Sequence, residues 1–281
     1  MSAGFGERVR AGIDARGPLC VGIDPHGSLL ASWGLSDDAA GVREFGLRTV
    51  AAVAPHVAIV KPQVSFFERF GAAGFAALED VLSAARDAGL LVIADAKRGD
   101  IGSTMDAYAA AWLSPGSTLE ADALTVNPYL GVGALDGALD LARAHGKGLF
   151  VLAATSNPEG RALQGAVGST GGSVSAQVVA EVSSRNAAEV QGDAWGSAGF
   201  VIGATVDWTD AGLAAFAPSA PILAPGYGAQ GAEPRDLVAR FGTMAPCVIA
   251  SESRSILSAG PDGLADATAA RAAEYREALH D

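Results

Sequence analysis

The run Asp95-Ala-Lys97-Arg-Gly-Asp100 sets a lysine between carboxylates. A short aliphatic run, Leu90–Ala94, leads straight into it and reads as a buried strand. Asp95 and Lys97 are two residues apart, so on a strand both side chains point to the same side. Charges at the end of a buried strand are costly unless they are paired. Flanking carboxylates favour the protonated amine, which makes Lys97 a poor Schiff-base nucleophile. It is suited instead to act as a fixed cation and proton donor, stabilising and then protonating a developing carbanion. A plain ion-paired strand end followed by a helix cap would account for Asp-x-Lys. It does not account for Asp100, for Gly99 and Gly102 beside the charges, or for Thr104 opening a helix.

The elements that must position this run repeat along the chain. Aliphatic runs at Leu19–Ile23, Val57–Val60, Leu90–Ala94, Asp122–Val126, Gly148–Ala153, Gly199–Gly203, Pro221–Ala224 and Cys247–Ala250 read as strands. Between them lie helical segments at Gly41–Ala54, Phe66–Asp87, Thr104–Leu113, Val132–Ala144, Val174–Gln191, Thr209–Phe216, Pro234–Phe241 and Pro261–His280, with Gly89 and Gly146 as stop signals. Strict strand–helix alternation predicts a parallel sheet. Eight units in 281 residues predict a single-domain (β/α)₈ TIM barrel, with a short helix, Phe5–Ala15 within residues 1–17, lying across one end. The Gly- and Ser-rich stretch Glu159–Ser173 reads as a long loop, either a lid or a surface excursion.

Active sites of such barrels stand at the C-terminal ends of the strands. There the sequence offers Asp24, Lys61, Asp95 with Lys97 and Asp100, Ser156, Gln230 and Arg254. Loops after the seventh and eighth strands often bind phosphate in this fold. Here they carry Pro225-Gly226-Tyr-Gly228-Ala-Gln230-Gly231 and then Arg254. The glycines let backbone N–H groups approach an anion, and the arginine supplies a bidentate cation.

Bulk properties narrow the function classes. A formal net charge of −12 disfavours general nucleic-acid or anionic-membrane binding. No apolar run approaches the ~20 residues needed to cross a bilayer, and the N-terminus does not read as a signal peptide. Cys20 and Cys247 sit in apolar runs and read as buried thiols, which fits a reducing cytosol. No metal-ligand spacing, dinucleotide fingerprint or nucleophile elbow is present, so neither metal nor cofactor is expected. His26, His56, His145 and His280 are scattered and read as structural or solvated.

Asp95-Ala-Lys97-Arg-Gly-Asp100-Ile101-Gly-Ser-Thr104 resembles the signature of the orotidine 5′-phosphate decarboxylase family. The likeness runs from Asp24 to Arg254 through Val126–Gly131, Thr155–Pro158, Pro225–Gln230 and Ser253–Ile256, and looks most like the bacterial subgroup with the longer chain. The resemblance implies a cofactor-free barrel that converts orotidine 5′-monophosphate to uridine 5′-monophosphate (UMP) and CO₂ in pyrimidine biosynthesis. It further implies Lys97 as proton donor to C6, Asp95 facing the departing carboxylate, and Lys61 completing the array beside the ribose. Asp24 would bind a ribose hydroxyl, Ser156 the pyrimidine, and Gln230 and Arg254 the 5′-phosphate, with Pro225 and Gly226 lining that site. Asp100, Ile101 and Thr104 would reach the partner's site in a cytoplasmic homodimer with shared active sites. Ser253 departs from the family, which often has glycine before the phosphate arginine. Two other readings compete: a magnesium-dependent sugar-phosphate decarboxylase or aldolase, which would need an extra acidic ligand near Asp95, and a non-catalytic nucleotide sensor.

Overall fold

The strands are almost wholly buried, save the C-terminal end of β3, as expected where helices cover the sheet outside and side chains fill it inside. The computed structural model describes residues 3–168 and 171–280. Its strands are β1 (Leu19–Ile23), β2 (Ile59–Pro62), β3 (Leu91–Arg98), β4 (Ala123–Val126), β5 (Gly148–Ala154), β6 (Ala198–Ile202), β7 (Ile222–Pro225) and β8 (Val248–Glu252). They pair in parallel, in sequence order, and close where Leu19 lies beside Ala250. The molecule is therefore the single (β/α)₈ barrel that the alternation predicts. No helix among the described residues is long and apolar enough to cross a membrane.

The helices are α1 (Phe5–Arg16), α2 (Gly27–Ser32), α3 (Ala39–Val53), α4 (Ser65–Glu68), α5 (Gly71–Asp87), α6 (Gly102–Leu113), α7 (Asp136–Ala144), α8 (Arg161–Gln164), α9 (Val174–Ala187), α10 (Leu237–Phe241), α11 (Arg254–Leu257) and α12 (Gly260–His280). Local chemistry fixes several ends. The Asp38 carboxylate accepts from the Gly41 N–H at 2.8 Å and caps α3, and Ser173 caps α9 through the Ala176 N–H.

Three sequence expectations need correction. The helix read over Thr209–Phe216 is a set of turns: Leu213 N–H donates to the Trp208 carbonyl at 2.7 Å, and Gly212 adopts φ +69°, which helical residues do not. The helix read as Phe66–Asp87 breaks into α4 and α5, because Gly71 turns left-handed at φ +59°. The stretch Glu159–Ser173, expected to lack structure, carries α8, tied back by the Gln164 amide to Thr155 N–H and Oγ1 at 2.9 and 2.7 Å. Residues 169 and 170 of that stretch, Met1 and Ser2 of the N-terminal segment, and the His280 side chain lie outside the described residues.

Helix α1 lies across the N-terminal ends of the strands. Its Phe5 ring is fully buried and meets Phe150 edge to face, with centroids 5.8 Å apart. Arg16 donates to the carbonyls of Ala54 and Val57 just before β2. A Cβ at Gly148 would overlap the Phe5 ring, so only glycine lets the plug seat. Phe5→Ala should cost about 3–5 kcal/mol in denaturant unfolding and leave the chemistry of the folded fraction unchanged, since the plug sits at the end away from the strand C-termini. A lowered kcat in fully folded Phe5→Ala would contradict that separation.

Candidate active site

The charged residues at the strand ends converge on one cavity. Along β3 the pairing register with β4 jumps from Ala94–Leu124 to Arg98–Val126, so β3 carries extra residues over this step. The step spans Asp95, Ala96 and Lys97, and through this bulge Asp95 and Lys97 both line the cavity while Ala96 packs against the core. Lys97 has φ +48°, the one non-glycine positive φ among the described residues. Such a conformation costs about 1–3 kcal/mol and persists only where neighbours hold it. Here the Lys97 N–H donates to Thr125 Oγ1 on β4 at 2.9 Å.

Asp95 is the hub. Its Oδ2 accepts from Lys61 Nζ at 3.0 Å; its Oδ1 accepts from Lys97 Nζ at 2.5 Å and from Thr125 Oγ1 at 3.0 Å. Burial pushes the Asp95 carboxyl up, but the charges of Lys61 and Lys97 outweigh it and hold the group well below the usual carboxylate range. Burial would likewise lower Lys61, but Asp95 and then Asp24 raise it above an ordinary lysine. The two lysines differ in access. The Lys61 side chain is 7% exposed and serves as a buried counter-charge, whereas Lys97 is 46% exposed in the cavity wall and can meet a ligand. Cys20, next to this array, is pushed up to about 12 by burial and stays a thiol. Neither cysteine is in a disulfide.

The cavity has a volume of about 520 Å³, a size suited to a small organic ligand. Its walls include Asp24, Lys61, Asp95, Lys97, Pro225, Gly226, Gln230, Ser253 and Arg254, all expected from the sequence. Ser156 lies just outside this lining, but its hydroxyl donates to Gln230 Oε1 at 3.3 Å across the mouth. Asp100, Ile101 and Thr104 are not in the cavity of their own chain. They stand at the start of α6, where Ile101 is 61% exposed; Tyr108, Tyr129 and Leu130 are also exposed large side chains.

Sequence reasoning missed several wall residues. His26, read as structural or solvated, lines the cavity and packs edge-on against Phe66 at 4.3 Å between centroids. Gln63 also lines it, and its position directly after Lys61-Pro62 at a strand end was the available signal. Thr125 was a polar residue within a buried strand, but its tie to Asp95 depends on the β3–β4 register. Two buried polar atoms of this wall, Asp24 Oδ1 and Ser253 Oγ, find no hydrogen-bond partner among the described residues. Buried polar atoms are nearly always paired, so both are candidates to meet a ligand. Ser253 fits where the family often has glycine because Gly22 faces it: a Cβ at Gly22 would come within 2.9 Å of Ser253 Cβ.

A family model described as orotidine 5′-phosphate decarboxylase / HUMPS family matches residues 17–270. The chain belongs to this family. It is 53% identical over 277 residues to the orotidine 5′-phosphate decarboxylase of Streptomyces coelicolor, covering 98% of each chain. A crystal structure from Streptomyces avermitilis, provisionally given the same name, superposes with a TM-score of 0.94 at 50% identity, covering 100% of this chain and 97% of that one. The OMP decarboxylase of Leishmania donovani aligns at 28% identity and a TM-score of 0.77, covering 99% of both chains.

The electrostatics of this family member predict a sign for acid sensitivity. A carboxyl whose folded pKa is depressed stabilises the fold fully above its ordinary value near about 3.9, and that contribution disappears as pH falls toward the folded value. Wild type should therefore lose stability below about pH 4 in part through Asp95, and Asp95→Asn should lack that part. Acid unfolding of both proteins, with the Asp95 carboxyl followed by carbon NMR, checks this. An Asp95 signal that titrates in the ordinary range would refute it.

Proposed function

We propose that this carboxy-lyase of pyrimidine biosynthesis decarboxylates orotidine 5′-monophosphate to UMP and CO₂ without a cofactor, with Lys97 as the proton donor. The single observation that carries the reading is the Lys61–Asp95–Lys97 array, a buried ion pair with a second, open lysine, in the wall of a nucleotide-sized cavity. Family membership and the 53% identical Streptomyces coelicolor decarboxylase support the reaction.

The reaction has a balanced path through these groups. The bond from C6 to the carboxylate breaks, CO₂ leaves, and the electron pair stays on C6. The Lys97 ammonium lies where it stabilises that pair, then donates its proton to C6 and regains one from solvent. Asp95, kept ionised by its lysines, faces the departing carboxylate. Its repulsion favours loss of the anion, although the preorganised cation at the carbanion is the larger effect. Lys61 holds Asp95 in place and borders the ribose. Asp24, with an unpaired buried oxygen, accepts from a ribose hydroxyl. Ser156 hydrogen-bonds the pyrimidine, and Gln230, Ser253 and Arg254 meet the 5′-phosphate above Pro225 and Gly226. Binding energy from the remote phosphate is used at the reacting carbon, so phosphate-free substrate loses kcat as well as affinity.

The exposed Ile101 at the start of α6 supports a homodimer in which Asp100, Ile101 and Thr104 complete the partner's site. The buried, unpaired cysteines support a cytoplasmic setting.

Turnover followed by the absorbance loss of orotidine 5′-monophosphate should proceed equally with and without EDTA. Inhibition by the chelator would redirect the assignment to a metal-dependent sugar-phosphate reaction. Lys97→Ala should abolish turnover, with a loss of several orders of magnitude, while UMP still binds; unchanged turnover would remove Lys97 from its role. Inactive Lys97→Ala and Asp100→Ala should regain partial activity when mixed and refolded, because hybrid dimers contain one intact shared site. Absence of any recovery, with dimers present in sedimentation, would overturn the shared site.

A further inference from the structure

Behind the two segments assigned to the phosphate lies a polar cluster on α12 that the chemistry above does not use. Glu252, the last residue of β8, has a fully buried side chain. Its Oε1 accepts from Arg271 Nε at 2.8 Å and from the Tyr275 hydroxyl at 2.5 Å; its Oε2 accepts from Ser255 Oγ at 2.7 Å. Ser255 directly follows Arg254 in the chain. The same Arg271 guanidinium reaches Glu233 Oε2 at 3.2 Å. Glu233 ends the β7 loop that carries Gly226 and Gln230, and the loop neck is closed by Ala232 N–H donating to the Gly226 carbonyl. Tyr227 of that loop packs edge-on against Tyr275, with centroids 5.5 Å apart. A Cβ at Gly228 would fall 2.9 Å from Glu252 Oε2, so glycine there lets the loop reach the same cluster.

One guanidinium thus ties both anion-gripping segments to a single helix. We infer that Arg271 is a positioning residue for the 5′-phosphate site, fixing the Gln230 loop through Glu233 and the Arg254 turn through Glu252. This rests on the phosphate assignment made under the proposed function. Arg271 and Tyr275 are four residues apart and so share one helix face. Arg271 makes a charged hydrogen bond to Glu252 and an ion pair with Glu233, and together these set the spacing of the two segments. Charge-assisted bonds of this kind are the stronger ones, and a buried carboxylate that loses its cation is left exposed to the full desolvation penalty.

The test compares wild type with Arg271→Met, Arg271→Lys and Glu233→Gln. UMP binding is measured by calorimetry, and kcat and KM are measured on orotidine 5′-monophosphate and on phosphate-free orotidine. Arg271→Met should weaken UMP binding and raise the nucleotide KM by about tenfold or more. Glu233→Gln should give a smaller shift in the same direction, and Arg271→Lys should recover part of the loss. The kcat/KM on orotidine should stay at the wild-type value in all three. Equal losses on nucleotide and nucleoside, or unchanged UMP binding in Arg271→Met, would overturn the inference. If Arg271→Met does not fold, Glu233→Gln decides alone, because Glu233 is 41% exposed and its removal leaves the buried pair intact. A wild type that binds UMP but never decarboxylates the nucleotide overturns the functional reading, while the UMP comparison still judges Arg271. A wild type that turns over normally beside an unaltered Arg271→Met overturns the positioning role alone.

Discussion

One buried carboxylate shared by two ammonium groups governs this molecule. Alone, Asp95 could not remain charged at its depth in the barrel. Lys61 from β2 and Lys97 from β3 make it stable as an anion, and Thr125 from β4 supplies a further donor. Three neighbouring strands must hold their register for those contacts to coexist, so the closed barrel is a condition of the chemistry and not merely its container. The left-handed Lys97 is part of the same constraint: its backbone is held against local preference by the neighbour that also binds Asp95.

Burial divides the labour among like residues. Lys61 is sealed in and acts on its neighbours, while Lys97 keeps an open face. The formal charge of the chain is −12, so attraction of an anionic ligand has to be local. Lys97 and Arg254, both in the cavity wall, are cations placed to supply it. Arg254 makes no ion pair among the described residues, whereas Arg271 is surrounded by acids. That contrast separates a side chain available to a ligand from one committed to scaffolding.

The sequence made the strands legible because barrel strands are short, apolar and bounded by Gly, Pro and charge. It made most of the site legible for a related reason: Asp24, Lys61, Asp95, Lys97 and Arg254 are charges placed where an apolar run stops. Thr125 escaped because its role depends on which residue of β3 lies beside it, and the bulge that decides this has no one-residue mark. His26 escaped because a lone histidine after a strand is ambiguous without Phe66 against it. The helix expected over Thr209–Phe216 failed where composition favoured helix but Gly212 and the turn closed by Leu213 prevailed. Arg271 was hidden in a helix rich in Ala, Arg and Glu that looks solvent-facing when read alone.

The glycine under Phe5 bears on how the history of this chain should be read. Gly148 can be no other residue while the aromatic plug is seated, and position 61 supplies a buried counter-charge that keeps Asp95 ionised. Both positions would resist drift across descendants, one for want of room and one for want of charge. Invariance at the two ends of the barrel would therefore look the same in an alignment and arise from unrelated selection. A lineage that relaxed the plug could compensate with a smaller ring and keep its chemistry. A lineage that relaxed the array would keep its fold and be free to acquire a different reaction.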